Sequence, residues 1–146
     1  MSSGGIIMKD IKELAHQYQQ QGNNCAETVV KVCNEYLDLQ LPEEVFRMVS
    51  VMGGGVAGSG CICGALNGAC LVLGALVGRV EPQEKTKPEM NQPVHVFYQQ
   101  WMNHFKASCC RVLKSPANGG PVSCAELMTV TAEMVIRYIE EKELKK

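Results

Sequence analysis

The chain has 146 residues, 46% apolar and 20% charged, with a formal net charge of −1. That length makes one domain able to bury its own core, and the composition excludes a disordered chain. Acids and bases are interspersed, and no basic patch is interleaved with aromatics, which argues against a nucleic-acid partner.

The opening eight residues are too short and too polar for a secretory signal, and no twin-arginine pair is present. The expectation is a cytoplasmic protein, with residues 1–7 a disordered N-terminus or a remnant ahead of Met8, and 8–146 one helical domain. Residues 8–20 place Ile11, Leu14, Ala15 and Tyr18 at helical spacing, and Gly22-Asn23-Asn24 ends that segment. From Cys25 to about Asp38, Ala26, Val29, Val30, Cys33, Tyr36 and Leu37 form one apolar face. Pro42 punctuates, and 43–52 reads as a third helix with Val45, Phe46, Val49 and Met52 inward. The glycine-rich run 53–60 resists regular structure, because glycine costs roughly 1 kcal/mol per helical position. Residues 61–78 are almost wholly apolar, and 79–91 reads as a surface connection. A fifth helix spans Pro93 to about Lys106 and carries the single Trp101. A turn-rich loop covers 114–121, and Ser123 opens a last helix with Leu127, Val130, Met134 and Tyr138 inward. Nothing alternates with period two over strand length. The fold class is therefore all-α, a single-domain bundle of about six helices around a glycine-rich apolar central helix.

Two patterns invite other functions. Gly53-x-Gly55-x-x-Gly58 matches the dinucleotide fingerprint as a string, with 47–52 as a conceivable strand and Glu81 as the downstream acid. No other βαβ pattern exists to build the sheet that fingerprint needs. No Gly-Lys-Ser/Thr follows, which excludes a phosphate-binding P-loop. The apolar run 61–78 approaches membrane-spanning length, but Asn67 and its glycines fit a buried helix of a bundle better. The expectation is no membrane span. Gly60, Gly64, Gly68, Gly74 and Gly78 leave one face of that helix open to close backbone approach. This face and the 79–91 connection are candidate contact surfaces, for a homodimer among other partners.

Eight cysteines in a reducing compartment point to metal binding or catalysis rather than a disulfide framework. Four lie in contexts that activate a thiol, since helix N-termini favour thiolate through unpaired N–H groups and the dipole. Asn24-Cys25-Ala26-Glu27 and Ser123-Cys124-Ala125-Glu126 each read as a capping pattern with cysteine at the first helical position. Cys63 stands where the glycine run turns into the central helix, and Gly64 and Gly68 allow close backbone approach to whatever the sulfur holds. Cys110 precedes Arg111, whose charge suits a thiolate or an anionic cluster. Free cysteine also commonly fills core space, and Cys33 and Cys70, flanked by apolar residues, fit that plainer role. Cys61 and Cys109 stand beside the stronger candidates as spare ligands or resolving thiols. No Cys-x-x-Cys pair is present, so zinc-ribbon, thioredoxin-like and ferredoxin-type runs are excluded. Four cysteines from separate helix ends that converge would make a soft tetrathiolate set, suited to an iron–sulfur cluster or zinc.

With these residues together, the chain resembles the redox-active family described by its own pattern, C_GCAxxG_C_C. The central element is Cys63-Gly64-Ala65-Leu66-Asn67-Gly68, preceded by the glycine run and by the Asn-Cys-Ala opening at Cys25. The Cys-Arg pair near the end of the fifth helix is Cys110-Arg111, and the final cysteine is Cys124. The resemblance implies a small helical redox-active domain, associated with oxidoreductase or transporter systems and related to modules that hold an iron–sulfur cluster. No Cys-x-x-Cys-His is present, so covalent haem is not expected.

The resulting expectation is a redox module with no catalytic residue of its own, serving a redox partner protein or oxidoreductase. Cys25, Cys63, Cys110 and Cys124 would ligate an iron–sulfur cluster, most simply 2Fe-2S, with Gly64, Gly68 and Arg111 beside it. Two rivals stand against this. One is metal-free thiol–disulfide or sulfur-transfer chemistry using Cys109/Cys110 or Cys61/Cys63. The other is structural zinc, or no cofactor at all, in a helical binding module.

Overall fold

A computed structural model describes residues 10–115 and 121–145. The expected N-terminal segment 1–7, and residues 116–120 of the expected 114–121 loop, lie outside the described residues. Seven α-helices occur among the described residues: α1 (Ile11–Gln20), α2 (Cys25–Tyr36), α3 (Glu43–Val49), α4 (Gly64–Val77), α5 (Lys87–Phe105), α6 (Cys110–Leu113) and α7 (Cys124–Glu141). The all-α expectation holds, and the only strand-like feature among them is an isolated antiparallel bridge between Ile62 and Cys109.

Helix starts follow local chemistry. The Asp10 carboxylate accepts from the Lys12 and Glu13 amides at α1. Asn24 and Glu27 close a reciprocal capping box at α2, each bond 2.9 Å. At α7 the Ser123 hydroxyl accepts from the Glu126 amide at 3.0 Å. Such caps satisfy amides that have no intrahelical partner.

Several boundaries differ from expectation; α3, expected to run to 52, ends at Val49. α5 starts at Lys87 rather than Pro93, because Thr86 and Glu89 form a capping box and Pro88 sits in the first turn, where no N–H is needed. Pro93 is thus inside the helix, and its carbonyl accepts the Tyr138 hydroxyl at 2.6 Å. Cys110 and Arg111 do not end the fifth helix; they open the single-turn α6. Lys106, in the left-handed region at φ 71°, ends α5 and reverses the chain before them. The segment ahead of the Gly-x-Gly-x-x-Gly string is helix α3, not a strand, so the dinucleotide pattern has no sheet to serve.

α2 and α4 form the closest pair in the bundle. α7 and α1 cover α2, while α5 and α7 cover α4. Val29, Val30, Ala65, Leu66, Leu73, Val135 and Ile136 are fully or almost fully buried between them. Each large apolar side chain removed from water stabilises by roughly 1.5–3 kcal/mol. Trp101 is buried as well, and its indole N–H donates to Thr131 Oγ1 at 2.9 Å. Cys33, fully buried in α2, packs in this core. No helix of the described residues is long and apolar enough to cross a membrane; α4 has 14 residues.

The α2–α4 approach depends on Gly68, where a Cβ would stand 2.9 Å from the Ala26 carbonyl oxygen. At Gly74, on the same helix, a Cβ would meet nothing within 4 Å. We expect Gly68→Ala to lower stability to urea by about 1–3 kcal/mol through overpacking. Gly74→Ala should instead raise it by about 0.5–1 kcal/mol through helix propensity. Equal effects of the two substitutions would contradict the packing role of Gly68.

Candidate functional site

All four helix-start cysteines face one cavity of about 260 Å³ at one end of the bundle. Cys25 and Cys124 are the first residues of α2 and α7, Cys63 is the N-cap of α4, and Cys110 is the first residue of α6. Asn24, Gly54, Gly64, Lys114, Leu127 and Met128 complete much of its wall. Cys63 and Cys110 are buried, whereas Cys25 and Cys124 are half-buried.

Backbone contacts made far along the chain hold the sulfurs there. The Cys63 amide donates to the Ser108 carbonyl at 2.7 Å, and the Cys110 amide to the Cys61 carbonyl. This short antiparallel pairing ties the start of α4 to the start of α6. Asn24, through its side-chain N–H, donates to the Ser50 carbonyl at 2.9 Å and anchors the start of α2 on the end of α3. Gly64 lets α2 approach: a Cβ there would stand 2.5 Å from the Cys25 sulfur and 2.9 Å from the Met52 carbonyl oxygen.

The glycine run folds back as a left-handed turn, with φ between 53° and 76° at five successive residues, Gly54 to Gly58. Val56 and Ala57 lie within it, each in a conformation that costs an L-residue about 1–2 kcal/mol. Gly55, at φ 72°, is pressed so close that a Cβ would stand 2.9 Å from Cys110 Cβ. The turn thereby backs the Cys110 side of the cavity.

Burial and local charge act against each other on the thiols. Burial pushes the Cys63 thiol up to about 11, while the facing Leu66 and Ala65 amides oppose the rise without closing a full cap hydrogen bond. Burial also raises Cys110, and the Lys114 ammonium opposes it. Lys114 is itself held protonated, first by its hydrogen bond to the Cys124 sulfur and then by attraction to Cys124, Cys110 and Cys25. Cys109 goes the other way. It caps α6, and the Val112 amide, followed by the Arg111 amide and guanidinium, lowers its thiol below the ordinary value.

The other sequence-derived positions are divided. Gly64 lines the cavity. Gly68 packs α4 onto α2 one turn further along. The Arg111 guanidinium donates through Nε to the Gly60 carbonyl at 3.2 Å, beside Cys109 rather than on the cavity wall. Cys61 is exposed, and Cys70 is half-buried on α4, outside the cavity. Lys114 was not among the sequence-derived candidates. Its signal was its position four residues after Cys110, which a helix places on the same face.

Four thiols, together with helix-start amides and one ammonium, make a donor set suited to a soft, anionic metal–thiolate group. Among the described residues, no three His, Cys, Asp or Glu side chains stand gathered as a single-ion site. The thiols instead ring a cavity.

Among the described residues the protein is all-helical, with four cysteines from helix starts lining one cavity. The chain belongs to the family described as "Putative redox-active protein (C_GCAxxG_C_C)", whose model matches residues 23–138. No curated protein and no solved structure matches the chain.

Gly64→Ala should disturb the site more than the fold, because its Cβ meets the Cys25 sulfur. Alkylation of Cys25 in the metal-free protein, followed by mass spectrometry, should change severalfold, and an unchanged rate would contradict the contact. Burial also sets a pH dependence. Cys33, Cys63 and Cys70 are all raised from an ordinary value of 9.0, the last two to about 11. Above pH 9 the unfolded chain gives up protons that the folded chain retains, so unfolding becomes easier as pH rises. Urea midpoints of the metal-free protein should fall between pH 9 and 11, and a flat or rising midpoint would show that these thiols are not buried.

Proposed function

We propose that this protein is a cytoplasmic electron-transfer module that holds an iron–sulfur cluster on Cys25, Cys63, Cys110 and Cys124 and serves a redox partner protein. The carrying observation is the arrival of four cysteines, from four separate helix starts, at one cavity. The membership of a redox-active family supports the same reading. A two-iron cluster is the simplest form. When bound, such a cluster accepts and passes on single electrons at a potential set by hydrogen bonds, charge and burial.

The chain's own residues have definable parts in this reading. Each cysteine gives up its proton to become a thiolate ligand, against the burial that keeps Cys63 and Cys110 protonated in the free protein. Ligation to metal supplies the driving force for that loss. Helix-start amides and Lys114 then offset the negative charge of the thiolates. The half-buried Cys25 and Cys124 mark the side from which a partner approaches. Zinc is the competing occupant, but a lone ion needs four sulfurs drawn to bonds of about 2.3 Å. A ring around a cavity suits a larger group better.

A second reading has one observation in its favour, the lowered thiol of half-buried Cys109. In this reading the Cys109 thiolate attacks a partner disulfide and forms a mixed disulfide. A second cysteine, Cys110 or Cys61, then displaces the partner thiol. Two electrons pass from the protein's thiol pair to the partner.

Protein reconstituted anaerobically with iron and sulfide should be brown, with iron and acid-labile sulfide in equal amounts. Serine at any one of Cys25, Cys63, Cys110 or Cys124 should reduce the bound iron severalfold, whereas Cys61→Ser should retain it. Colourless, iron-free protein after reconstitution would remove the cluster reading. A single thiol that reacts fastest at neutral pH and maps to Cys109 would then favour the second.

A further inference from the structure

α4 contains no Asp, Glu, Lys or Arg, and neither does α5 from Met90 to Phe105. The other long helices turn charge to solvent: Lys12 and Glu13 on α1, Glu35 on α2, Arg137 and Glu140 on α7. α4 and α5 pack side by side. Their outer surfaces meet at a shallow depression of about 360 Å³, lined by Cys70, Asn91, Val94, His95 and Tyr98. Leu71 and Tyr98 are exposed there. The glycines of α4 divide between its two sides. Gly64 and Gly68 face α2, whereas Gly74 is exposed, and a Cβ on it would meet nothing within 4 Å. No neighbour among the described residues therefore requires glycine at 74, where it lowers helix propensity. In the connection between the two helices, Arg79 donates to the Pro82 and Lys85 carbonyls, and the Lys85 ammonium donates to the Val77 carbonyl. Both cations are thus turned to backbone.

We propose that the outer face of α4 and α5 is the interface of a symmetric homodimer. A two-fold interface sets one surface against itself, so a formal charge near the axis meets its like. This face brings none. The exposed carboxamides of Asn91, Gln92 and Gln99 each carry donors and an acceptor, so they can satisfy one another across the axis. Depletion of charge with an aromatic side chain retained is the composition of an interface core. Gly74 leaves room for a second helix to approach, and the depression can receive Leu71 of a second copy. Helices of 14 and 19 residues are about 21 and 28 Å long and pack about 10 Å apart. A face of about 20 by 25 Å buries roughly 1,000 Å² over both copies, the lower bound for a specific interface. Association in the micromolar range follows. None of the residues that line the four-cysteine cavity belongs to this depression, so each copy keeps its own site. The assembly is independent of what the cysteines hold.

Sedimentation equilibrium of the full chain under reductant, which prevents disulfide-linked pairs, is the test. Wild type should pass from monomer to dimer with a dissociation constant on the order of 1–100 μM. Leu71→Glu and Gly74→Lys each place charge on the face at an exposed position, and each should raise that constant at least about tenfold. Met48→Glu, at an exposed apolar residue of α3 outside the face, should leave it unchanged. Helicity by circular dichroism should match in all four proteins, which separates lost association from lost folding. Wild type that stays monomeric up to about 0.5 mM leaves the face to a different partner and overturns the proposal. A dimer that resists both face substitutions, or that Met48→Glu dissociates, overturns it as well.

Discussion

The close approach of α4 to α2 is the constraint on which the site depends. Gly64 and Gly68 bring the two helices together, one against the Cys25 sulfur and the other against the Ala26 backbone. A side chain at either position would separate the starts of the helices, and with them Cys25 from Cys63. The rest of the bundle is arranged around this pair. α7 packs on both helices and brings Cys124, while the short pairing of Cys61 and Cys63 with Cys110 and Ser108 brings the start of α6. The glycines here act less as flexible joints than as absent side chains.

The cost of the arrangement is electrostatic and conformational. Burial makes Cys63 and Cys110 reluctant to ionise, and Val56 and Ala57 are held in left-handed conformations behind Cys110. Left-handed backbone and thiol desolvation coincide at this cavity, a combination that functional sites often show. A metal–thiolate group would offset the desolvation, because ligation removes the protons that burial retains. Cys109 stands outside that balance. It is the N-cap residue of α6 beside Arg111, and the nearby Val112 and Arg111 groups lower its thiol.

What the sequence reveals follows the range of the interactions involved. The starts of α2 and α7 are legible because a capping residue and a glutamate three positions later are local signals. The burial of Cys33 is legible from its helical neighbours. The start of α5 was equally local, at Thr86 and Glu89, but the prolines at 88 and 93 make that stretch look like a connection. α6 is not legible, since it exists only because Lys106 reverses the chain and residues 108–110 pair with 61–63. The cavity wall is hidden for the same reason; Lys114 has a local signal, four residues after Cys110, but only once α6 is known to be a helix. The left-handed turn is suggested by its glycines, yet Val56 and Ala57 within it give no sign of that conformation.

The central claim is that Cys25, Cys63, Cys110 and Cys124 meet around one shared group. X-ray absorption at the iron edge of the anaerobically loaded protein tests it most directly, because it counts the ligand atoms and reports neighbouring metal. The account predicts an all-sulfur first shell with an iron–iron contribution, degraded by serine at any one of the four. Iron bound through nitrogen or oxygen, or an all-sulfur spectrum indifferent to those four substitutions, would contradict it.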